Sequence, residues 1–178
     1  ISSIYYANKL KDLGNLCYYT LRYKEAENCY LQVVDIIKSI SGDTTDGYAS
    51  IAGSLAHLYK NMGLADKAEN WYNITLSIRK KKYGEKNEFY LSELNNLADL
   101  YKRNKEMAKA DSMYNHLKNE YRSIYGDSSK QYSRALQNLA IFYDSWEKFA
   151  LAEPLYLQVI KIDNTLYGSN HENSINNL

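Results

Sequence analysis

Residues 94–101 read LNNLADLY, and the pattern of this stretch decides the fold. Leu94, Leu97, Ala98 and Tyr101 fall at positions i, i+3, i+4 and i+7, which is the spacing of one face of an α-helix. A small residue such as Ala98 favours close approach of a second helix, because a larger side chain would hold the two axes apart. The stretch therefore predicts an amphipathic helix that packs against a partner helix.

The same pattern recurs every 42 residues through the chain. Six columns each keep one residue character: leucine, small, mostly tyrosine, alanine, acidic and tyrosine. In that order they are Leu13/Leu55/Leu97/Leu139, Gly14/Ala56/Ala98/Ala140, Cys17/Tyr59/Tyr101/Tyr143, Ala26/Ala68/Ala110/Ala152, Glu27/Glu69/Asp111/Glu153 and Tyr30/Tyr72/Tyr114/Tyr156. A register kept without insertion or deletion indicates an internal repeat.

Each repeat reads as two helices followed by a glycine. In the first repeat, the second helix places Ala26, Tyr30, Val33 and Ile37 on one face. The glycines that close the repeats, expected to form left-handed helix C-caps, are Gly42, Gly84, Gly126 and Gly168. We therefore predict an all-α solenoid of antiparallel helix pairs, with repeats at residues 6–47, 48–89, 90–131 and 132–173 and a partial fifth from residue 174.

These columns resemble the tetratricopeptide repeat, and the 42-residue period with its repeated Tyr-Gly pair resembles the kinesin light chain-like subclass. The resemblance covers residues 6–173. It implies a single right-handed superhelix over residues 1–178, in which the first helix of every repeat lines a concave groove.

Charge and composition argue against several partners. The chain has 22 Lys and Arg residues against 21 Asp and Glu, a net charge of +1, so no long-range field would gather nucleic acid or an anionic membrane. The basic run at residues 79–82 lies in the last turns of a helix, where cations complement the helix dipole. A local basic patch stays open as an alternative.

The two cysteines, Cys17 and Cys29, are too few for a disulfide framework and favour a reducing compartment, which we take as the cytoplasm. No apolar run is long enough for a membrane span. The chain begins without methionine, and a polar capping helix is missing at either end. We therefore expect a piece excised from a longer protein, whose exposed ends could self-associate.

Motifs for catalysis and for cofactor or metal binding are missing from the sequence. The eight glycines form no phosphate-binding loop. The histidines, His57, His116 and His171, lie in three different repeats and lack ligand spacing, and neither cysteine belongs to a C-x-x-C pair. Cys17 falls on the packing face, so its expected role is in the core. We predict that the chain is not an enzyme and uses no cofactor.

A second stripe on each first helix varies between repeats and is the candidate binding surface. By the resemblance, this stripe faces the concave groove. Its candidate residues are Asn15, Tyr18, Tyr19, His57, Lys60, Asn61, Asn95, Lys102, Arg103 and Gln137. Some family members hold a peptide's terminal carboxylate with similar lysine and asparagine groups, whose fixed cations and amide donors suit an anion. A plain solvated face is the alternative.

The sequence thus favours a non-catalytic scaffold that binds a protein or peptide on its concave face. The alternative is a regulatory or oligomerisation segment of a multidomain protein. Arrays of this subclass accompany effector domains, such as a caspase-like peptidase, in bacterial proteins.

Overall fold

The computed structural model describes residues 3–168, and within that range the chain is built from eight helices without strands. They are α1 (Ser3–Tyr19), α2 (Tyr23–Ser41), α3 (Asp46–Asn61), α4 (Ala65–Tyr83), α5 (Glu88–Arg103), α6 (Met107–Tyr125), α7 (Lys130–Asp144) and α8 (Phe149–Tyr167). The predicted partial fifth repeat and His171 lie outside the described residues. None of these helices is both long enough and apolar enough to cross a membrane.

The chain forms two compact units, which we describe separately. The N-terminal unit spans residues 1–100 and the C-terminal unit residues 101–178, so the division falls inside α5. In the N-terminal unit α1 packs on α2, α2 on α3, and α3 on α4. In the C-terminal unit α6 packs on α7 and α7 on α8. The predicted all-α solenoid class is confirmed.

The small residues mark the contacts within each helix pair, as predicted. Ala26 and Ala68 in the N-terminal unit and Ala110 in the C-terminal unit are fully buried. A Cβ added at Gly14 would lie 2.6 Å from the ring of Tyr30, so the first pair packs too closely for alanine without a shift of that ring. Interior packing at this density leaves no room for larger side chains.

Burial of the leucine column differs at the first repeat. Leu55, Leu97 and Leu139 are buried, whereas Leu13 is 46% exposed. On the same side of α1, Leu16 is 55% exposed, although its counterpart Leu58 is buried. The reason is geometric, because α3 packs on α2 of the preceding repeat as well as on α4, whereas no helix precedes α1 within the described residues.

The tyrosine column is more deeply buried than the amphipathic character of its ring suggests. Tyr30, Tyr72 and Tyr114 are almost fully buried, and only Tyr156 is half-buried. The Tyr30 hydroxyl donates a hydrogen bond to Asn15 Oδ1 at 2.8 Å. This bond satisfies the polar tip, which allows the ring to lie inside the helix pair.

The turns correct the expected cap geometry. Gly42, Gly84, Gly126 and Gly168 have φ of 81–85° but ψ of 157–175°, so they leave the helix in an extended glycine conformation and do not form a left-handed cap. Positive φ values also occur at the turn inside each repeat. The residues at that turn are Leu21, Gly63, Lys105 and Glu147, with φ of 62°, 74°, 62° and 56°.

The linkers that follow the closing glycines carry helix caps at the same 42-residue spacing. Thr45 Oγ1 accepts a hydrogen bond from the Tyr48 N–H at 3.3 Å, and Ser129 Oγ accepts one from the Tyr132 N–H at 3.2 Å. Asn87, in the same column, accepts from the Phe89 N–H at 2.9 Å. Side chains that bond the free N–H groups of a first turn fix where a helix begins.

The acidic column connects neighbouring repeats, in agreement with its predicted structural role. In the N-terminal unit the Tyr59 hydroxyl of α3 donates to Glu27 Oε1 of α2 at 2.7 Å. In the C-terminal unit the Tyr143 hydroxyl of α7 donates to Asp111 Oδ1 of α6 at the same distance. Both bonds join residues 32 apart, so the 42-residue period reproduces one link between different helices.

Candidate functional site

In the N-terminal unit, side-chain hydrogen bonds join successive first helices along one face. Lys11 Nζ of α1 donates to Ser50 Oγ of α3 at 2.9 Å. Asn61 Nδ2 of α3 donates to the Tyr18 hydroxyl of α1. Lys60 Nζ of α3 donates to Asp99 Oδ2 of α5 at 3.0 Å. We call this surface the first-helix face; it brings together the predicted residues Tyr18, Lys60 and Asn61.

Lys60 is a paired cation on this face. Its side chain is 13% exposed, and its ammonium group lies against the Asp99 carboxylate. A partly buried ion pair of this kind is held by geometry, and removal of one partner would leave the other charge in a poorly solvated place. The positive charge of Lys60 is therefore balanced by Asp99, and this ion pair holds the ammonium group in one place on the first-helix face.

His57 is neutral on the same face. The ring is half-buried, with its centroid 5.6 Å from that of Tyr72. Burial, together with the nearby Lys60 and Arg79 cations, lowers the pKa of His57 to about 4, although Asp99 opposes this shift. At neutral pH this imidazole can donate or accept a hydrogen bond, but it offers no positive charge.

An ion pair that the sequence analysis missed lies behind the face. Arg79 of α4 contacts Glu93 Oε2 of α5 at 2.9 Å, and Glu93 is only 4% exposed. Burial raises the pKa of Glu93, whereas Arg79, Asn96 and Lys60 oppose that rise. A Cβ at Gly53 would approach Glu93 Oε1 to 3.2 Å, so glycine leaves room for the carboxylate.

The sequence did contain a signal for this pair. Glu93 occupies the column that holds Ile51 and Ala135 in the two neighbouring repeats, so an acid stands where both of those repeats have a core residue. A buried acid needs a cation, and the candidate run was residues 79–82. Two further cations of that run are also paired, Lys80 with Glu85 and Lys82 with Asp46.

The aromatic end of the first-helix face lies at the turn between α1 and α2. The ring centroid of Tyr18 lies 5.3 Å from that of Tyr19, edge to face, and 6.1 Å from that of Tyr23. Tyr19 is 80% exposed. Asn15 faces inward instead, since its side chain accepts the Tyr30 hydroxyl. The half-buried Asn95 lies on α5 in the same unit.

In the C-terminal unit the structure brings Lys102 and Arg103 together at one pocket. The pocket measures about 520 Å³, and its lining residues are Lys102, Arg103, Lys105, Ser145, Trp146 and Glu147. Lys105, Trp146 and Glu147 were not predicted, because they lie in the turns after the first helices. Gln137, the predicted residue of α7, is half-buried and does not line this pocket.

Metal chemistry has no cluster to support it in the part of the chain that the structure describes. Among residues 3–168, no group of three or more His, Cys, Asp or Glu side chains could hold a metal ion. Cys17 and Cys29 are buried free thiols. The polar groups of the first-helix face are hydrogen-bonded to one another across helices, and these bonds fix the relative positions of the side chains.

The fold and this face define a helical-repeat protein of the all-α solenoid class. The tetratricopeptide repeat model matches residues 5–81 and 90–165, and the chain belongs to that family. The predicted family and fold are therefore confirmed. Tetratricopeptide repeats are typically protein-interaction scaffolds.

Similar solved structures share the fold. BtubC (BKLC) from P. vanneervenii is 22% identical, with a TM-score of 0.76 over 93% of this chain and 65% of that chain. Nearly identical TPR-like repeats from Podosopora anserina, described as a kinesin light chain, are 18% identical, with a TM-score of 0.80 over 96% of this chain and 81% of that chain. The kinesin light chain-like character of the repeats thus has structural counterparts.

Rap proteins also share the fold at lower identity. A Rap protein complexed with competence and sporulation factor is 12% identical, with a TM-score of 0.72 over 99% of this chain and 47% of that chain. This chain thus spans 65% of BtubC and about half of the Rap structure. No curated protein matches the sequence.

Proposed function

We propose that the chain is a non-catalytic scaffold that binds an extended peptide or protein segment on the first-helix face of the N-terminal unit. The observation that carries this proposal is the set of cross-helix hydrogen bonds, Lys11–Ser50, Tyr18–Asn61 and Lys60–Asp99. These bonds hold polar and aromatic groups of three successive first helices, α1, α3 and α5, in fixed positions. Such preorganisation reduces the entropy lost on binding.

The chemistry of the face favours a ligand with both aromatic and polar groups. Tyr19 projects an exposed ring, and aromatic side chains of this kind dominate interface energetics. The neutral His57 and the paired Lys60 offer hydrogen bonds without net charge. We therefore expect recognition through hydrogen bonding and stacking. Because Asp99 already balances the charge of Lys60, this face favours such a ligand over the predicted terminal carboxylate. The Rap protein of the same fold is complexed with competence and sporulation factor, which is compatible with a binding role for such a solenoid.

Selection from a displayed library of random twelve-residue peptides tests this proposal. Peptides that bind the chain should bind Tyr19→Ser about tenfold more weakly, as expected when an interface aromatic is lost. Tyr19 is so exposed that this change should leave the fold intact. Ile40→Ser, at a 43% exposed position of the second helix α2, is the matched control. Selected peptides that are indifferent to Tyr19→Ser but lost with Ile40→Ser would place binding on the wrong helices.

A second candidate is an oligomerisation or regulatory segment, and the exposed apolar side of α1 favours it. Leu13 and Leu16 are 46% and 55% exposed, whereas their counterparts Leu55 and Leu58 on α3, a helix that packs on α2, are buried. An apolar helix side of this kind is complementary to a second helix of the repeat type. This candidate predicts that the mass in solution rises with concentration.

We also propose that the chain works in a reducing compartment, because of the state of its two cysteines. Both cysteines are free and buried close to the α1–α2 contact. Burial raises the pKa of the Cys29 thiol, so it stays protonated and unreactive. Unreactive core thiols suit a reducing compartment such as the cytoplasm.

A further inference from the structure

We propose that His57 makes the first-helix face of the N-terminal unit acid-sensitive: when its ring gains a proton, it becomes a third cation beside Lys60 and Arg79, and the contact of α3 with α4 opens. This inference goes beyond the proposed function, because it holds whatever ligand the face binds. Of the two histidines that the structure describes, His57 is half-buried and His116 is exposed.

The ring of His57 lies in the contact between α3 and α4. Its centroid is 5.6 Å from that of Tyr72, a fully buried residue of α4. A neutral imidazole suits this place, whereas an imidazolium loses part of its hydration wherever it is taken out of water. The same column holds Asn15, Asp99 and Ile141 in the other repeats, so among the four repeats only the second places a histidine there.

Two cations already lie near this ring, and each of them has a carboxylate. Lys60, one turn further along α3, donates to Asp99 Oδ2 of α5 at 3.0 Å. Arg79 of α4 contacts Glu93 Oε2 of α5 at 2.9 Å. A proton on His57 would place three cations against two carboxylates in a partly buried cluster, where like charges repel each other more strongly than in water.

The charged groups on the two helices that precede α3 are engaged elsewhere. Glu27 of α2 accepts the Tyr59 hydroxyl at 2.7 Å and lies 3.8 Å from Lys67 Nζ. Lys11 of α1 donates to a serine hydroxyl of α3. The charges that act on His57 come instead from α3, α4 and α5.

The direction of the pH effect follows from the neutral state of the folded ring. Burial, Lys60 and Arg79 lower the pKa of His57 from 6.5 to about 4, against the attraction of Asp99. The unfolded chain therefore binds a proton below pH 6.5 that the folded chain resists until about pH 4, and stability is lost as the pH falls through this window. At pH 5 this group alone should raise the unfolding equilibrium constant roughly 10–30-fold.

Glu93 acts in the opposite direction. Burial raises the pKa of its carboxyl, so this group takes up a proton more readily in the folded chain and stabilises that chain as the pH falls. The quantity to measure is therefore the difference in acid response between the parent chain and a His57 variant, since the contribution of Glu93 is present in both.

Urea unfolding at pH 7.5 and pH 5.0, followed by the fluorescence of Trp71 in α4, tests the proposal on the whole chain. The chain has two tryptophans, so Trp146→Phe in every variant leaves Trp71 as the reporter of the N-terminal unit. Between these pH values the unfolding constant of His57→Gln should rise by a factor roughly 10–30-fold smaller than that of the parent, because glutamine stays polar but cannot become charged. His116→Gln is the matched control and should respond as the parent does.

His57→Asn, which introduces the residue that the first repeat has in this column, repeats the test should His57→Gln not fold. Circular dichroism of the chain with both tryptophans is the second readout. Equal acid responses of His57→Gln and the parent chain would overturn the proposal.

A nuclear magnetic resonance titration of the His57 ring provides an independent check. A midpoint near the ordinary histidine value of about 6.5 would overturn the proposal, since the folded chain would then accept the charge without cost. Lys60→Gln should raise the midpoint, because it removes one of the two cations. An unchanged midpoint in that variant would contradict the repulsion between like charges on which the proposal stands.

Discussion

At the residue scale, a tyrosine hydroxyl links one repeat to the preceding one by a hydrogen bond. Tyr59 and Tyr143 each place a hydroxyl 2.7 Å from an acid of the preceding helix pair. Burial and the hydrogen bond to Asp111 both raise the pKa of Tyr143, so its proton stays on the hydroxyl in the neutral range. A hydrogen bond to a charged acceptor is worth about 1.5–3 kcal/mol.

Tyr143→Phe should therefore destabilise the C-terminal unit by about 1–2 kcal/mol, because the ring is kept while Asp111 loses its donor. Tyr19→Phe is the control, since the Tyr19 hydroxyl is on an exposed ring. Urea unfolding followed by circular dichroism measures both. Equal midpoints for Tyr143→Phe, Tyr19→Phe and the parent chain would show that the link between repeats is energetically unimportant.

The same scale shows what the sequence could reveal. The acidic column was predicted to be structural from its recurrence, and its contacts with Tyr59 and Tyr143 agree. The Arg79–Glu93 pair was missed because only Gly53 and the depth of α5 make room for a buried carboxylate. The column of Glu93 could show that an acid replaces a core residue, but not the space that Gly53 leaves for its carboxylate.

At the element scale, the turns set where each helix ends. Helix positions were predictable because the 3.6-residue periodicity and the glycines bound them. Turn conformation was not, since a positive φ is compatible with two different ψ values for glycine. The extended ψ at Gly84 directs the chain away from α4, while the left-handed turn at Leu21 reverses it into α2.

Two substitutions at these turns should act in opposite directions. Gly84→Ala should destabilise the chain by about 1–3 kcal/mol, because φ of 81° with ψ of 169° is a conformation almost restricted to glycine. No neighbouring atom lies within 4 Å of an added Cβ there, so the effect would come from the backbone alone. Leu21→Gly should stabilise by up to about 1 kcal/mol, since it relieves a left-handed leucine.

Thermal melts of the two variants provide the measurement. Ser39→Ala, at an exposed position near the end of α2, controls for changes in helix propensity. A loss of stability in Leu21→Gly as large as that in Gly84→Ala would mean that the leucine side chain, not its backbone, determines the turn.

At the scale of the whole molecule, each repeat has columns of residues that pack in the core and a stripe on its first helix that varies between repeats. The alanine column is buried in all four repeats, whereas the first-helix stripe changes from tyrosine to lysine to amide. The sequence could therefore predict which stripe is free to vary. It could not predict that Lys60 is balanced by Asp99 and that His57 stays neutral, because those properties depend on neighbouring helices.

Association through α1 is a prediction at this scale. If the apolar side of α1 binds another helix, sedimentation at increasing concentration should show species heavier than one chain, and Leu16→Gln should return the mass to that of one chain. Leu157→Gln, an equally exposed leucine on α8, should leave the association unchanged. A single-chain mass at all concentrations would count against self-association of this chain.

The tyrosine–acid link has a consequence for how such a chain can change length. Both links join a tyrosine donor to an acid of the preceding repeat, Tyr59 to Glu27 and Tyr143 to Asp111, at the same separation of 32 residues. A duplicated block of 42 residues therefore brings both halves of the link and fits between its neighbours without altering either. Insertion of a single residue within α7 ahead of Tyr143 would instead rotate the hydroxyl by about 100° around the helix axis. Insertion of a whole 42-residue repeat thus preserves these hydrogen bonds, whereas insertion of a single residue in α7 would break the bond between Tyr143 and Asp111.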